Sequence, residues 1–189
     1  LNITFDNVLA HPELPWDWRG LSANQNITFT MILAHPEFPW NWISLSNNPN
    51  LAFEHVLAHP EKRWHWYGLS ANSNLVIDIQ SYPDKPWNWE WLSSNSNITM
   101  EDILVHPKKP CNWGHLSRHS NIIFENIFNH PELPWDWEFV SRNSNITFEN
   151  IMLYPNLPWN WNSLSRNNFT KERQQFIEQR YKEYIAAYR

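Results

Sequence analysis

Seven copies of a 24-residue unit fill almost the whole chain, and a Pro-Trp-x-Trp core or a close variant marks each copy. The first tryptophan of the core recurs at steps of 24 residues with one step of 23, and Cys111 replaces it in the fifth copy. A fixed period of this size is typical of stacked repeat arrays, because a unit so short cannot bury a core by itself. Side chains that recur in every copy are therefore expected to line a seam or a surface, whereas an active site is normally assembled once.

Tryptophan is the residue type that most distinguishes this chain, with 14 among 189 residues. These rings recur together with periodic Leu, Ile and Phe, a pattern that favours burial because it removes apolar surface from water. We predict that the rings form a structural seam joining successive units. The predicted seam consists of Trp16, Trp18, Trp40, Trp42, Trp64, Trp66, Trp87, Trp89, Trp113, Trp135, Trp137, Trp159 and Trp161.

The first half of each unit predicts a short helix. In copy one, Thr4 suits the N-cap, where its hydroxyl can accept a backbone N–H of the first turn. Phe5, Val8 and Leu9 follow at i, i+3 and i+4, which places them on one face of a helix. Pro12 prevents the helix from continuing. We therefore expect a helix of about two turns whose apolar face carries these three side chains.

The second half of each unit predicts another short helix. Pro15 suits its first position, because the missing N–H is not needed there. Trp16 and Trp18 are two residues apart, so on a helix they point to nearly opposite faces. We expect Trp18 and Leu21 to pack within the unit and Trp16 to reach a neighbouring unit, although the spacing alone does not fix which tryptophan faces which side. Asn24 is a candidate for a left-handed residue that ends this helix.

Two helices per unit predict an all-α fold, an α-solenoid of seven short helix–turn–helix repeats over residues 1–168, followed by a C-terminal amphipathic helix over residues 169–189. The rival is a β-solenoid or a leucine-rich-repeat coil, whose period also fits. The scarcity of glycine, 3 against 14 prolines, and the i, i+3, i+4 spacing favour helices. The best strand-like segment is residues 74–79, in the copy that has lost one residue.

An asparagine precedes the first helix of each unit, and several copies read Asn-Ile-Thr, the acceptor pattern for N-glycosylation. Other copies keep the asparagine and lose the threonine, which glycosylation does not explain. Backbone hydrogen bonding in the turn between units does explain it. We predict an inter-repeat asparagine ladder made of Asn2, Asn26, Asn50, Asn74, Asn97, Asn121 and Asn145.

Five copies place a histidine before their first proline, and two place a tyrosine there. A metal-binding or pH-sensing ladder is one interpretation. Packed helices lie about 8–10 Å apart, whereas two ligands of one zinc ion must each approach it to about 2.1 Å. Tyrosine is also a poor replacement for a histidine ligand, so we predict structural rings and no metal site. The positions are His11, His35, His59, His106 and His130, with Tyr82 and Tyr154.

No Ser-His-Asp set, paired carboxylates or Gly-rich phosphate loop stands out. A unique site would lie where a copy departs from the repeat, at Lys62-Arg63 in copy three, at the extra Trp91 in copy four, or in copy five. There, Cys111 and His115 would be i, i+4 neighbours if both lay on the second helix, which superficially suits nucleophilic chemistry. A small residue tolerated at a drifted position is the simpler explanation. We predict no enzymatic activity, no catalytic residues and no cofactor.

The pattern changes after residue 168. Thr170 can cap a helix that runs from Lys171 to Tyr188, with apolar side chains at helical spacing opposite charged ones. Such a helix either caps the end of the array or docks onto a partner groove or an anionic surface; we favour the cap. Its apolar side carries Ile177, Tyr181, Tyr184, Ile185 and Tyr188.

Charge divides the chain into an acidic body and a basic end. Residues 1–165 carry 8 Lys and Arg against 16 Asp and Glu, a net charge of −8, whereas residues 166–189 carry 6 against 3, a net charge of +3. An acidic body argues against binding of duplex nucleic acid, which needs a basic stripe. No apolar run is long enough to span a membrane. One cysteine excludes a disulfide framework and fits cytosolic folding, and a start inside the repeat pattern without Met suggests a piece of a longer protein.

The unit His-Pro-Glu-Leu-Pro-Trp-Asp-Trp, followed by Leu-Ser-x-Asn-x-Asn-Ile-Thr, resembles the tryptophan-rich repeats of giant DNA viruses such as marseilleviruses and pithoviruses. The likeness covers residues 1–170, and both blocks occur together at fixed spacing. The ending Ala186-Ala187-Tyr188-Arg189 resembles the start of the basic, aromatic tail that often follows these repeats. The resemblance implies a viral origin, a location in the virion or the cytoplasm of the infected host, and a structural or interaction role, without supplying catalytic residues.

Three hypotheses for function follow. The first is a non-enzymatic repeat scaffold for protein–protein interaction or assembly, whose partners are other proteins or copies of itself in a homo-oligomer or a fibre. The alternative is a carbohydrate- or nucleic-acid-binding module that uses exposed aromatic rings. The third is a hydrolase or redox enzyme centred on Cys111.

Overall fold

The structure is a computed structural model that describes residues 3–169 and the single positions 175, 179, 182 and 183. Residues 3–169 contain thirteen short helices and no strand, which confirms the predicted all-α repeat fold. The rival β-solenoid is therefore wrong. The chain forms two compact units, Leu1–Asn97 and Ile98–Arg189. The predicted C-terminal helix lies outside the described residues, apart from the four single positions.

Each regular repeat contains a first helix of six residues and a second helix of four to six residues. Within a unit, second helices of successive repeats pack together, as in an α-solenoid. The helices of the first unit are α1 (Phe5–Ala10), α2 (Trp18–Ala23), α3 (Phe29–Ala34), α4 (Trp42–Leu45), α5 (Phe53–Ala58), α6 (Trp66–Ala71) and α7 (Trp89–Leu92). The second unit has, among its described residues, α8 (Met100–Val105), α9 (Trp113–Ser117), α10 (Phe124–Asn129), α11 (Trp137–Val140), α12 (Phe148–Leu153) and α13 (Trp161–Leu164).

The variable residue of Pro-Trp-x-Trp is the N-cap of the second helix. In six repeats it is Asp or Asn, whose side chain accepts a backbone N–H of the first turn. Asn41 Oδ1, for example, accepts the N–H of Ser44 at 2.9 Å. In the third repeat His65 takes this position, and its Nδ1 accepts the N–H of Gly68 at 3.3 Å. The second helix therefore begins at the second tryptophan, and the prediction that it includes the first was wrong.

Reciprocal hydrogen bonds cap the first helix. In the seventh repeat, Thr147 Oγ1 accepts the N–H of Asn150 at 3.1 Å, and Asn150 Oδ1 accepts the N–H of Thr147 at 2.9 Å. In the third repeat, His55 Nδ1 accepts the N–H of Ala52 at 3.1 Å. Burial lowers the pKa of His55, which favours the neutral ring that can accept this bond. The third residue of the helix is thus the partner of the N-cap.

Two of the three side chains on the predicted apolar face of the first helix are buried. Phe5 and Val8 are 4% and 0% exposed, whereas Leu9 is 40% exposed. Leu9 therefore lies on the predicted apolar face without belonging to the core. The helix packs with its first and fourth residues facing the neighbouring repeat, and its fifth residue lies about 100° around the axis from the fourth.

The fourth repeat lacks a first helix. Ile77 occupies the place where such a helix begins, and Ile79, which is 3% exposed, fills the place that Val8 has in the first repeat. The missing residue is therefore the third of the helix, whose side chain in other repeats accepts the N–H of the N-cap residue. Asp78 Oδ1 instead accepts the N–H of Ser81 at 2.9 Å. Residues 76–82 consequently form turns and irregular backbone, neither the helix nor the strand considered from the sequence.

No left-handed residue ends the second helix. Asn24 has φ −72° and ψ 131°, an extended conformation, so the prediction of a left-handed Asn24 was wrong. Its side-chain oxygen accepts the N–H of Asn26 at 2.8 Å, which closes the turn between repeats through a side chain. Among the non-glycine residues that the structure describes, only Phe169 has a positive φ, 43°.

Candidate functional site

The first tryptophan of each core is fixed by a hydrogen bond to the backbone. Trp40 Nε1 donates to the carbonyl oxygen of His35, and the same bond, 2.7–2.9 Å long, recurs in the six repeats that have this tryptophan. The acceptor is always the His or Tyr that precedes the first proline. Because the indole N–H is satisfied inside its own repeat, the ring can be buried without an unpaired polar atom.

The second tryptophan of one repeat packs edge-to-face against the first tryptophan of the next. The ring centres of Trp18 and Trp40 lie 5.1 Å apart with their planes at 89°. Trp40 also lies 6.0 Å from the ring of Phe5. Both tryptophans therefore join repeats, and the prediction that Trp18 packs within its own unit was wrong. Four further pairs repeat the contact at 5.0–5.2 Å: Trp42–Trp64, Trp66–Trp87, Trp113–Trp135 and Trp137–Trp159.

Thirteen of the fourteen tryptophans are buried or half-buried. Trp161, in the seventh repeat, is 64% exposed. Indole rings packed against one another and tied to the backbone hold neighbouring repeats together and leave little open ring surface. The five buried rings are Trp40, Trp87, Trp89, Trp135 and Trp159.

The asparagines predicted as a ladder bond adjacent repeats through backbone carbonyls. Asn50 Nδ2 donates to the carbonyl oxygens of Gln25 at 2.6 Å and Ile27 at 3.1 Å. Asn74 lies in the equivalent turn between the third and fourth repeats, where its backbone N–H donates to Asn72 Oδ1. Asn2 lies outside the described residues. Equivalent side-chain bonds to the preceding repeat come from Asn26, Asn97, Asn121 and Asn145.

A second asparagine ladder, buried and not predicted from the sequence, lies two residues upstream of the first. Asn143 Nδ2 donates to the carbonyl oxygens of Ser117, His119 and Ile122 at 3.0, 3.1 and 3.2 Å, and Asn143 is 1% exposed. Its signal is the first Asn of the Leu-Ser-x-Asn-x-Asn block. Equivalent bonds come from Asn48, Asn72, Asn95 and Asn167.

The serine of the same block supplies a third inter-repeat bond that was not predicted. Ser46 Oγ accepts the N–H of His65, the N-cap residue of the next repeat, at 2.9 Å, and donates to the carbonyl oxygen of Trp42 at 2.9 Å. Ser46 is fully buried. A buried hydroxyl that both donates and accepts leaves no polar atom unsatisfied. The same acceptor role, also at 2.9 Å, belongs to Ser22, Ser70, Ser117 and Ser141.

The rings that precede the first proline pack against the first helix of the preceding repeat. His35 lies 5.2 Å from Phe5, and Tyr82 lies 5.3 Å from Phe53. Either aromatic ring makes this contact, which accounts for the exchange of His and Tyr. A hydrogen bond from the Glu37 backbone amide holds the pKa of the Glu37 carboxyl below its ordinary value. The hydrogen bond between His35 Nδ1 and Glu37 Oε1, 2.9 Å long, lowers this pKa further. Over the part of the chain that the structure describes, no three potential metal ligands come together.

Cys111 and His115 do not share a helix. The second helix of the fifth repeat begins at Trp113, and its N-cap Asn112 separates Cys111 from it. His115 Nδ1 is buried without a hydrogen-bond partner, and Cys111 is half-buried. The condition for the i, i+4 arrangement considered from the sequence is therefore not met.

The departures in the third and fourth repeats are absorbed by local packing. Lys62 Nζ lies 5.0 Å from the ring centre of Trp42, a cation–π contact beside a small cavity of about 180 Å³. The extra Trp91 lies 4.5 Å from the ring of Tyr67. Neither arrangement brings reactive groups together.

One face of the first helices is exposed, apolar and flanked by acid. The fifth residue of these helices is exposed in five repeats and half-buried in the third. The second residue is an exposed carboxylate in five repeats, as at Glu54 and Glu149. Repeated apolar side chains rimmed by charge are typical of interaction surfaces. We call this set the apolar stripe: Leu9, Leu33 and Leu57 in the first unit, and Leu104, Phe128 and Met152 in the second.

The missing helix leaves a groove between the third and fourth repeats, with a volume of about 720 Å³. Val76 on its edge is 79% exposed. Asp78 is also on this edge, and hydrogen bonds from Ser81 lower the pKa of its carboxyl, which keeps it charged. The residues that line the groove include two carboxylates, Glu54 and Asp78, and no Lys or Arg. The fourth-repeat groove is lined by Phe53, Glu54 and Leu57 on α5, by Val76, Ile77 and Asp78 opposite, and by Tyr82, with Pro49, Asn50, Leu51, Ala52 and Asn74 at its end.

The matching groove between the sixth and seventh repeats has a volume of about 280 Å³. Here α12 is present, and its residues form one side of the groove. The seventh-repeat groove is lined by Phe124, Glu125 and Phe128 on α10, by Glu149, Asn150 and Leu153 on α12, and by Tyr154.

The side chains predicted for a partner helix, Ile177, Tyr181, Tyr184, Ile185 and Tyr188, lie outside the described residues. Within the described part of the chain, every helix is too short or too polar to cross a bilayer. In each unit, the candidate site is therefore its part of the apolar stripe with the groove beside it. Comparison with protein-family models, curated proteins and solved structures found no match to this chain.

Proposed function

We propose that this chain is a non-enzymatic repeat scaffold that binds other proteins, or copies of itself, through the apolar stripe and the grooves beside it. The observation that carries the proposal is the recurrence of an exposed apolar side chain at one helix position, as at Leu33 and Phe128, which are 47% and 45% exposed. Scattered exposed apolar residues need no explanation, but a repeated set forms an extended surface within each unit. Such surfaces are what stacked repeats offer to partners.

The stripe stands on a well-ordered support. Within a unit, each junction between regular repeats contains an edge-to-face indole pair, buried asparagine bonds and a serine bond, as at Trp42–Trp64, Asn72 and Ser46. These contacts fix the spacing of the first helices within each unit. A partner that contacts several first helices at once then loses less conformational freedom on binding, which favours affinity.

The charge of the stripe indicates the chemistry of its partner. Exposed carboxylates at Asp6, Glu54, Glu101, Glu125 and Glu149 begin five of the first helices. A complementary partner presents apolar side chains beside Lys or Arg, because opposite charges across an interface steer association and exclude like-charged competitors.

The proposal includes a role in a giant-virus particle, and its support is the resemblance of the Pro-Trp-Asp-Trp and Leu-Ser-x-Asn-x-Asn blocks to the repeats of such viruses. In that setting the partners are other virion proteins or further copies of the chain. Quantitative proteomics of purified particles and of infected cells tests this part. We expect enrichment in particles, and detection in infected cells alone would contradict it.

A carbohydrate- or nucleic-acid-binding module has less support. Such modules present open aromatic faces on which sugars or bases stack, whereas most indole rings here are covered by neighbouring rings and backbone. Trp161 is the exposed exception. Red-shifted native fluorescence that iodide quenches and an oligosaccharide alters would favour the module instead.

The main test is affinity purification of the tagged full chain from the cells in which it is naturally made. The stripe variant Leu33→Asp/Phe128→Asp places carboxylates where a partner would bury them, an arrangement that leaves unpaired charge at an interface. The control variant Leu14→Asp/Ile43→Asp makes the same charge change at two exposed apolar positions outside the stripe. We expect the native chain and the control to recover the same partners and the stripe variant to lose them.

Both variants change exposed side chains, so circular dichroism should show the native helix content. Equal recovery of proteins by all three forms would mean that the stripe is not the binding surface. Recovery that responds to added oligosaccharide and not to the stripe variant would point to the alternative module.

A further inference from the structure

The fourth-repeat groove differs from a generic apolar surface because a known element is missing from it. In the seventh repeat α12 is present, and its residues Asn150 and Leu153 line the smaller groove, together with residues of α10. In the fourth repeat the loss of one residue leaves Phe53 and Leu57 of α5 facing an opening of about 720 Å³. A short helix with apolar side chains on one face suits this opening, since a first helix forms that side of the groove in the seventh repeat.

The charge of the groove narrows the choice further. Glu54 and Asp78 stand on opposite walls, and the lining contains no Lys or Arg to balance them. Ser81 donates its backbone N–H to Asp78 at 2.9 Å, which holds that carboxylate in place. An occupant that brings apolar side chains next to Lys or Arg would satisfy both walls.

The chain itself contains a segment with this chemistry. Residues 171–189 carry 5 Lys and Arg against 3 Asp and Glu, the opposite sign to the body that precedes them. The sequence spacing of Ile177, Tyr181, Tyr184 and Ile185 predicts one apolar side on a helix, with Arg180 and Lys182 next to it. Helix-in-groove binding through such i, i+4 anchors is a common mode of recognition.

We propose that the fourth-repeat groove binds residues 171–189 of a second copy of this chain, so that the basic end of one molecule replaces the first helix missing from another. The inference rests on the proposed scaffold function and names one partner for it, the chain itself. The association is heterologous, because the surface used on one copy differs from the surface used on the other.

The test uses the native full chain and a fluorescent peptide of residues 170–189. Peptide binding is followed by anisotropy, and self-association of the full chain is followed by sedimentation velocity over a concentration series. We expect the peptide to bind, and excess unlabelled peptide to shift the chain toward monomer. High salt should weaken both, because the exposed charges are then screened.

Two variants with the same change in net charge locate the site. Glu54→Lys/Val76→Lys alters the fourth-repeat groove at two exposed side chains, and Glu149→Lys/Leu153→Lys makes the same changes in the seventh-repeat groove. We expect the first to weaken peptide binding about tenfold or more, a loss of about 1.4 kcal/mol, and the second to change it less than about twofold. A peptide carrying Ile177→Asp and Ile185→Asp should not bind the native chain.

Each other outcome decides against the proposal. Equal weakening by both groove variants would indicate binding by net charge alone. Absence of peptide binding, or self-association that survives Glu54→Lys/Val76→Lys, would exclude this groove as the site. Those results leave the scaffold function standing if Leu33→Asp/Phe128→Asp still abolishes recovery of partners. If the stripe variant has no effect either, the scaffold function fails as well.

Discussion

The fourth-repeat groove and the seventh-repeat groove are built from the same first-helix positions, yet the first has a volume of about 720 Å³ and the second about 280 Å³. The difference comes from one residue, the third of the first helix, which the fourth repeat lacks. Without it the N-cap loses its partner and the short helix does not form. The walls that remain correspond pairwise: Phe53 and Phe124, Glu54 and Glu125, Leu57 and Phe128, Tyr82 and Tyr154.

The contacts between repeats are nearly the same in the two regions. Trp66 and Trp87 meet at 5.0 Å, and Trp137 and Trp159 meet at 5.2 Å. The buried asparagine of the fourth repeat, Asn95, reaches the preceding repeat at 2.9 Å, as its counterparts do. The comparison teaches that the second helix and its flanking turns hold the stack, while the first helix forms the surface. A repeat can therefore change its surface without leaving the stack.

The largest effect should come from removing the first tryptophan, and it should be equal in the two regions. Trp87 and Trp159 are each 6% exposed, with Nε1 bonds of 2.9 Å to Tyr82 and Tyr154. We expect Trp87→Ala and Trp159→Ala each to lower the free energy of unfolding by about 3–5 kcal/mol. Urea unfolding followed by circular dichroism measures both. A much smaller loss for Trp87→Ala would show that the missing helix has loosened the seam.

The buried asparagines should rank next, and the one that serves more carbonyls should be the more sensitive. Asn143 serves three carbonyls, whereas Asn72 serves two, at 3.3 and 3.1 Å. We expect Asn143→Ala to cost about 2–4 kcal/mol and Asn72→Ala about 1–3 kcal/mol, because buried carbonyls lose their donor. The same unfolding measurement applies. Asn145→Ala is the control at the outer ladder, and a loss there as large as that of Asn143→Ala would contradict the importance of burial.

Restoring the missing residue should make the two grooves alike. Inserting Asn between Asp78 and Ile79 returns the capping side chain to the third position of the helix. We expect new hydrogen-exchange protection over residues 77–82 and a gain of about 1–2 kcal/mol, the usual contribution of a cap. Inserting Ala at the same place restores the length without the cap and should gain less. If the Asn insertion brings no new protection, the cause assigned to the missing helix is wrong.

The smallest effect concerns the cap of α5, which forms one wall of the fourth-repeat groove. Burial lowers the pKa of His55 from its ordinary 6.5, so the unfolded chain binds the proton more readily than the folded chain. The contribution of His55 to the free energy of unfolding is therefore complete above pH 6.5, and it is lost as the pH falls below that value. His55→Asn supplies the acceptor used by Asn126 and Asn150 and should reduce this decline. Melting temperatures of both forms across this range measure it, and parallel curves would exclude a contribution from His55.

Much of the fold follows from local sequence signals. The period, the prolines and the threonine caps are local features of the sequence, and together they predict short helices in pairs. The boundary of the second helix was misjudged because the N-cap role of Asn41 and its equivalents competes with the helix-starting preference of the preceding proline. The spacing does not show that Leu9 lies outside the core, because i, i+3 and i+4 positions look equivalent in a sequence, whereas α1 buries only Phe5 and Val8 of the three.

The site was less accessible from the sequence. The sequence shows which copy lost a residue. It does not show that a groove lined by Asp78 and Val76 opens there, because this depends on how the chain packs when the helix does not form. The serine and buried asparagine bonds were not predicted either. Each joins two residues of different repeats that are more than 17 positions apart in the sequence.

The sequence by itself therefore determined the repeat, the helical class and the use of tryptophan as a recurring large side chain, since these depend on spacing and on residue type. Only the tertiary structure decided which face of the first helix meets solvent, which atoms join one repeat to the next, and where a groove opens. Those outcomes depend on the space left between neighbouring repeats, and that space exists only once the chain has stacked on itself.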